Sequence, residues 1–274
     1  MTSADFGPLV SADWLATHLD DVRVVDVRWY LKPADGRSGA GAYRAGHLPG
    51  AVRLDLDTEL SEPPSPTAGR HPLPSPERFA AALGRAGIAP GVPVVAYDDA
   101  GGSVAARLWW LLHVLDEPAA VLDGGLAAWA GPLVTEVPEI RAVERKPRPW
   151  PADRLLGAEQ VAAALDTTII DARSAERYAA GDPEIDPRPG HIPGALSMPW
   201  PDNLAGDGRF RSAEELRERF AAADGRPAVV YCGSGVTACH NLLAMELVGL
   251  RRTALYPGSW SQWGADPARP AETG

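Results

Sequence analysis

The feature that most constrains this chain is that it says the same thing twice. VVDVR at 24–28 returns as IIDAR at 169–173, AGHLPGAV at 45–52 as PGHIPGAL at 189–196, and LDGGLAAW at 122–129 as YPGSWSQW at 256–263. Three matched landmarks in one order imply two copies of a single folding unit. Asp26 pairs with Asp171 and His47 with His191, but Trp129 and Trp263 lie closer together, so the first copy carries about ten extra residues in its middle. They fall in the Pro-rich stretch TELSEPPSPTAGRHPLPSP at 58–76. Between the copies, VTEVPEIRAVERKPRPWPADR mixes charge with proline and lacks apolar periodicity over most of its length, as a linker does. The predicted organisation is a first domain over 8–133, a linker over 134–152 and a second domain over 153–268.

Within each copy, short apolar runs alternate with helical segments. VRVVDVR, PVVAYDD and AVLDGG read as buried strands in the first copy, and TTIIDAR, AVVYCG and TALYPG answer them in the second. SPERFAAALGRAG opens on Ser-Pro and closes on Gly, and SAEELRERFAAADG carries a Ser-x-x-Glu capping box, so both predict helices. Strands alternating with helices predict an α/β fold with a mostly parallel sheet flanked by helices in each domain. With 274 residues, 45% of them hydrophobic, the chain can fill two such cores.

The second copy differs from the first at one chemically decisive place. Aligning VVAYDDAGG with VVYCGSGVT sets Asp98 opposite Cys232, at a strand end where ligands of parallel sheets sit. Only the second copy has a nucleophile there. An aspartate at the matching strand end predicts that this position faces a solvent-accessible mouth. In CGSGVT the glycines allow successive N–H groups to point inward and the next helix brings its positive end to the same spot, which favours a nucleophilic thiolate. The other cysteine, Cys239, lies seven residues on, and the pair has neither zinc spacing nor the look of a disulfide framework, so no metal is expected. Cys239 and His240 are predicted to pack beneath the site or against the other domain.

Charge and termini restrict the function classes. A net charge of −10 opposes binding to nucleic acid and to anionic membrane surfaces, so an anionic substrate needs a local arginine cluster. The N-terminus has no cationic start followed by an apolar run, and no stretch has transmembrane length, so the chain reads as soluble and cytoplasmic.

The DVR and DAR strand ends, the paired GHLPGA and GHIPGA motifs, the closing GSWSQW and the loop CGSGVTACH together resemble the tandem-domain sulfurtransferases of the rhodanese superfamily, with an inactive N-terminal rhodanese-like domain and a catalytic C-terminal one. The resemblance spans nearly the whole chain. In thiosulfate enzymes of that family Arg and Lys often follow the nucleophile. Here Gly233 and Ser234 do, and CGSGVT looks more like the 3-mercaptopyruvate sulfurtransferases, whose monoanionic donor needs less charge compensation.

What the resemblance implies is a sulfane sulfur moved from 3-mercaptopyruvate or thiosulfate through a persulfide on Cys232 to cyanide or to a thiol, either a small one or a thioredoxin-like protein, with no cofactor. The donor would be held by Gly233, Gly235, Val236 and Thr237 of the loop, by Arg177 in SAERY, and by Arg188, which precedes GHIPG. In the mercaptopyruvate enzymes an Asp and a His of the N-terminal copy meet the loop serine. The matching residues are Asp57 in RLDLDTEL, His71 in GRHPLP, and Ser234. By themselves the G-H-x-P-G-A motifs read as tight turns with a packed imidazole, so His47 and His191 are expected to be structural. Two rival classes are weighed against it. A cysteine phosphatase would need an arginine six residues after the nucleophile, where this chain has Ala238. A non-catalytic rhodanese-like carrier or binding module would fit the loss of cysteine in the first copy, but Cys232 survives in the second.

Overall fold

Two parallel sheets organise the computed structural model, which describes residues 6–274. The chain divides into two units. The first comprises residues up to Ser61, Pro74–Trp150 and Asp207–Arg209; the second comprises Glu62–Leu73, Pro151–Gly206 and Phe210–Gly274. The Pro-rich loop of the first copy thus clusters with the second unit.

In the first unit the elements run β1 (Leu9–Val10), α1 (Ala12–Thr17), β2 (Arg23–Asp26), α2 (Gly39–Ala45), β3 (Val52–Arg53), α3 (Pro76–Arg85), β4 (Val94–Tyr97), α4 (Ala105–His113) and β5 (Ala119–Leu122). The sheet order is β1-β5-β4-β2-β3, parallel throughout. Val24, Val95, Tyr97 and Leu122 are buried with Leu15 and Leu48, as expected of strands covered on both faces. The second unit runs α5 (Ala158–Ala162), β6 (Thr168–Asp171), α6 (Ala175–Ala180), β7 (Leu196–Ser197), α7 (Ala213–Arg219), β8 (Ala228–Tyr231), α8 (Ala238–Leu247), β9 (Thr253–Leu255) and α9 (Ser259–Trp263), with sheet order β7-β6-β8-β9, again all parallel. Its core joins Val229, Tyr231, Tyr256, Trp260 and Trp263.

The repeated motifs are the joints of this fold. Asp26 takes the Nε and Nη2 of Arg28, and Asp171 takes the same pair from Arg173. Each arginine then reaches the turn that follows in sequence, donating Nη2 to Gly46 O at 2.7 Å or Gly190 O at 2.8 Å. The residue after each turn histidine returns the tie: Leu48 N donates to Tyr97 Oη and Ile192 N to Tyr231 Oη. Buried ions tolerate an apolar interior only when every partner is in place, so D-x-R and G-H-x-P-G-A recur together. His47 and His191 stack on Tyr43 and Tyr178 at 3.9 and 3.6 Å. Both have structural surroundings.

The stretch read as a linker has no regular structure, yet it is strapped to the first unit. Val134 pairs with His47, Val143 N donates to Gly84 O, and Arg145 reaches Ile88 O and Glu117. In the second unit Glu272, near the chain's end, pairs with His191 as Val134 does with His47. Backbone donors and acceptors and the side chain of Arg145, none of which an apolar pattern reveals, hold these straps. Among the described residues no helix is long and apolar enough to cross a membrane.

Candidate functional site

β8 delivers Cys232 to the carboxyl end of the second sheet, beside β6 and β9. The cysteine is 2% exposed. Its Sγ accepts from Gly235 N at 3.1 Å, its own N–H donates to Ser259 Oγ at 3.2 Å, and its carbonyl accepts from Trp260 N at 3.0 Å. Gly235 is required here twice over. Its φ is +75°, and a Cβ on it would stand 2.6 Å from Pro257 O. The turn is thereby pressed against the segment before α9, and that pressure aims Gly235 N at the sulfur. Val236 is buried, and Thr237 leads into α8.

Around the loop the chain assembles polar groups from distant segments. Ser234 and His71 are both buried, with Oγ and Nδ1 2.8 Å apart. Arg177, on α6, gives Nε and Nη2 to the Asp186 carboxylate at 3.0 and 2.5 Å. Its guanidinium edge also faces the loop: a Cβ on Gly233 would meet Arg177 Nη2 at 2.8 Å. The same Cβ would meet Arg70 Nη2 at 3.1 Å. A side chain at 233 would therefore displace two cations, which explains a glycine with no unusual φ.

The expected residues are placed as follows. Cys232, Gly233, Ser234, Gly235, Val236, Thr237, His71 and Arg177 lie in the second unit around one loop. Arg188 is also in that unit, but its Nη2 donates to Arg269 O at 2.7 Å and its guanidinium lies over the Trp260 ring, 5.7 Å from the centroid. Asp57 belongs to the first unit, where its Oδ2 accepts from Trp29 Nε1 at 2.8 Å. Cys239 and His240 are fully buried, with Cys239 Sγ on Gly235 O and His240 stacked on Phe210.

One expectation is overturned. Asp98 does not face an open mouth; it is 1% exposed. Its two oxygens accept from Ala100 N, Gly102 N, Val104 N and Ala105 N at 2.8–2.9 Å. Burial holds this carboxyl above its ordinary range, and the four donors offset only part of that rise. The first copy has kept a ring of inward-pointing amides and filled it with its own side chain. Alignment shows which residue occupies a strand end, not whether that residue folds back on its own backbone.

Two residues escaped the sequence reading. Arg70 was hidden beside His71, with no motif of its own. Ser259 occupies a left-handed position, φ +53°, where the first copy has Gly125 at φ +56°. That strain holds a hydroxyl against the Cys232 N–H, and a serine aligned with a glycine in a tight turn is a signal that could have found it.

The rhodanese-like domain matches the chain twice, over residues 11–132 and 154–266. The chain is 44% identical to a Pseudomonas aeruginosa protein named "Probable 3-mercaptopyruvate sulfurtransferase", covering 97% of this chain and 98% of the relative. It is 37% identical to the 3-mercaptopyruvate sulfurtransferase of Escherichia coli K12, over 96% of this chain and 97% of the other. Among solved structures, the E. coli 3-mercaptopyruvate sulfotransferase SseA superposes with a TM-score of 0.82 at 35% identity, covering 92% of this chain and 98% of that one.

Proposed function

The chain belongs to the rhodanese family of sulfurtransferases, and we propose that within it the reaction is sulfur transfer from 3-mercaptopyruvate through a persulfide on Cys232. The observation that carries this reading is the Ser234–His71 hydrogen bond at 2.8 Å, two residues from a thiol whose Sγ already accepts from the loop backbone. The thiolate attacks the donor sulfur. As the S–S bond forms, the donor C–S bond breaks, and its electron pair moves onto the carbon next to the keto group, giving the enolate of pyruvate. A proton must then reach that carbon. Ser234 with His71 is the relay for it, and Asp57 enters as a third member through the family resemblance alone. Arg177 binds the donor carboxylate, and a thiol acceptor, small or thioredoxin-like, removes the sulfur in a second half-reaction. Thiosulfate is the alternative donor; sulfite leaves without needing a proton.

The reading predicts ping-pong kinetics and one added sulfur atom on Cys232 after exposure to 3-mercaptopyruvate alone, seen by intact-mass and peptide mass spectrometry. Cys232→Ser abolishes both. A Cys232→Ser variant with wild-type turnover would refute it, and a persulfide formed from thiosulfate but never from 3-mercaptopyruvate would reassign the donor.

A further inference from the structure

Arg70 stands on a loop held in place at several points. Its N–H donates to Ser261 Oγ at 2.9 Å and its Nη1 to Ile185 O at 3.0 Å. Just before it, Gly69 at φ +92° lets the backbone pass so close to the segment preceding α9 that a Cβ would lie 2.6 Å from Gly258 O. Behind it, Glu62 N donates to Pro72 O and closes the loop. The guanidinium is not a mobile surface group.

Its electrostatic surroundings are only partly compensated. Asp171 is paired with Arg173, and Asp186 is shared between Arg177 and Arg173. With Arg70, three guanidiniums therefore face two carboxylates, an excess of one positive charge while Cys232 is a neutral thiol. Among the described residues no carboxylate ion-pairs with Arg70, and its Nε is buried with no hydrogen-bond partner. Burial and the nearby Arg177 hold the Arg70 guanidinium below its usual range. Two guanidinium edges converge on Gly233, one residue from Cys232, and Asp186 and Cys232 offset only part of their repulsion. A carboxylate between them would, since each edge offers donors in the planar geometry a carboxylate matches. Arg188 is occupied elsewhere, on Arg269 O and over Trp260.

We infer that the donor's carboxylate is seated between Arg70 and Arg177, with Arg70 supplying the net charge, so that the loop carrying His71 brings both the carboxylate anchor and the proton relay to the same donor. This rests on the proposed 2-oxo acid chemistry, and the test separates the two. Binding of 3-mercaptopyruvate, and of pyruvate as its product, is measured by calorimetry on the full chain carrying Cys232→Ser, where turnover plays no part. Adding Arg70→Met is expected to weaken both by roughly 10- to 100-fold. In the active chain, Arg70→Met raises the KM for 3-mercaptopyruvate by a similar factor with a smaller effect on kcat. Arg70→Lys recovers part of the loss, and guanidinium added to Arg70→Ala restores rate, which a purely structural role would not allow. A matched thermal midpoint checks the fold, and Arg70→Lys carries the test if Arg70→Met does not fold. Unchanged binding and KM in Arg70→Met and Arg70→Lys would overturn the inference, as would a loss confined to Arg188→Met. If the active chain never forms a persulfide while the calorimetric loss is found, the sulfur-transfer reading fails and the carboxylate seat stands.

Discussion

Gly235→Ala is the sharpest way to ask whether the loop is built around its sulfur. The residue sits at φ +75°, and a side chain in the left-handed region costs about 1–2 kcal/mol. The new Cβ would also lie 2.6 Å from Pro257 O, 2.9 Å from its Cα and 3.1 Å from its C. These are backbone atoms, so no rotamer change relieves the clash, and overpacking of this kind adds about 1–3 kcal/mol. Gly225→Ala is the control. It shares the strain, at φ +70°, but nothing lies within 4 Å of its Cβ. The difference between the two variants is the cost of the close approach, expected at about 1–3 kcal/mol. A chain of two units is not assured of a single two-state transition, so stability is read locally, from hydrogen exchange at Val229 and Val230 of β8. Moving Gly235 also withdraws the N–H that Sγ accepts, and losing one such fixed donor slows chemistry by about 100-fold or more. Single-turnover persulfide formation measures that. If Gly235→Ala matched Gly225→Ala in protection and formed persulfide at the wild-type rate, the reasoning about this turn would be refuted.

Replacing His71 by Ala is expected to depress the 3-mercaptopyruvate rate by about 100-fold or more while sparing thiosulfate, because only the enolate needs a proton; parallel rates with both donors decide it, and equal losses would indicate damaged packing. In the first unit, Asp98→Ala leaves four N–H groups, three of them buried, without their acceptor. It should cost about 2 kcal/mol, the relief of a buried charge offsetting part of the loss, and should strip hydrogen-exchange protection from Ala100, Gly102, Val104 and Ala105. Retained protection at those amides would mean that they are held by something else.

Much of this was legible in the chain itself. Two copies, parallel sheets, a thiol at a strand end and a glycine turn after it are all consequences of local order: apolar runs of strand length, helix caps, and the conformations that only glycine enters without strain. Ser212 and Glu215 form their capping box, and Ser75 caps the helix that begins at Pro76, as the residues predict. The recurrence of D-x-R with G-H-x-P-G-A was visible, but its reason was not, because the tie from Arg173 Nη2 to Gly190 O spans a turn that only folding closes.

What tertiary structure decided are the contacts between residues remote in sequence. Arg70 N meets Ser261 Oγ across 191 positions and His71 meets Ser234 across 163, so no window of sequence contains either partner's surroundings. Asp98 was misread for the complementary reason. Its partners are near in sequence, yet its direction depends on a backbone path that composition does not specify. The sequence by itself determined that a cysteine would stand at the end of the strand Ala228–Tyr231, since an apolar run of strand length and two glycines suffice for that. Which arginines face it, and which histidine reaches its loop, was decided only when the Pro-rich segment Glu62–Leu73 packed onto the second unit, because charge and proton transfer act over a few ångströms of space, whatever the separation along the chain.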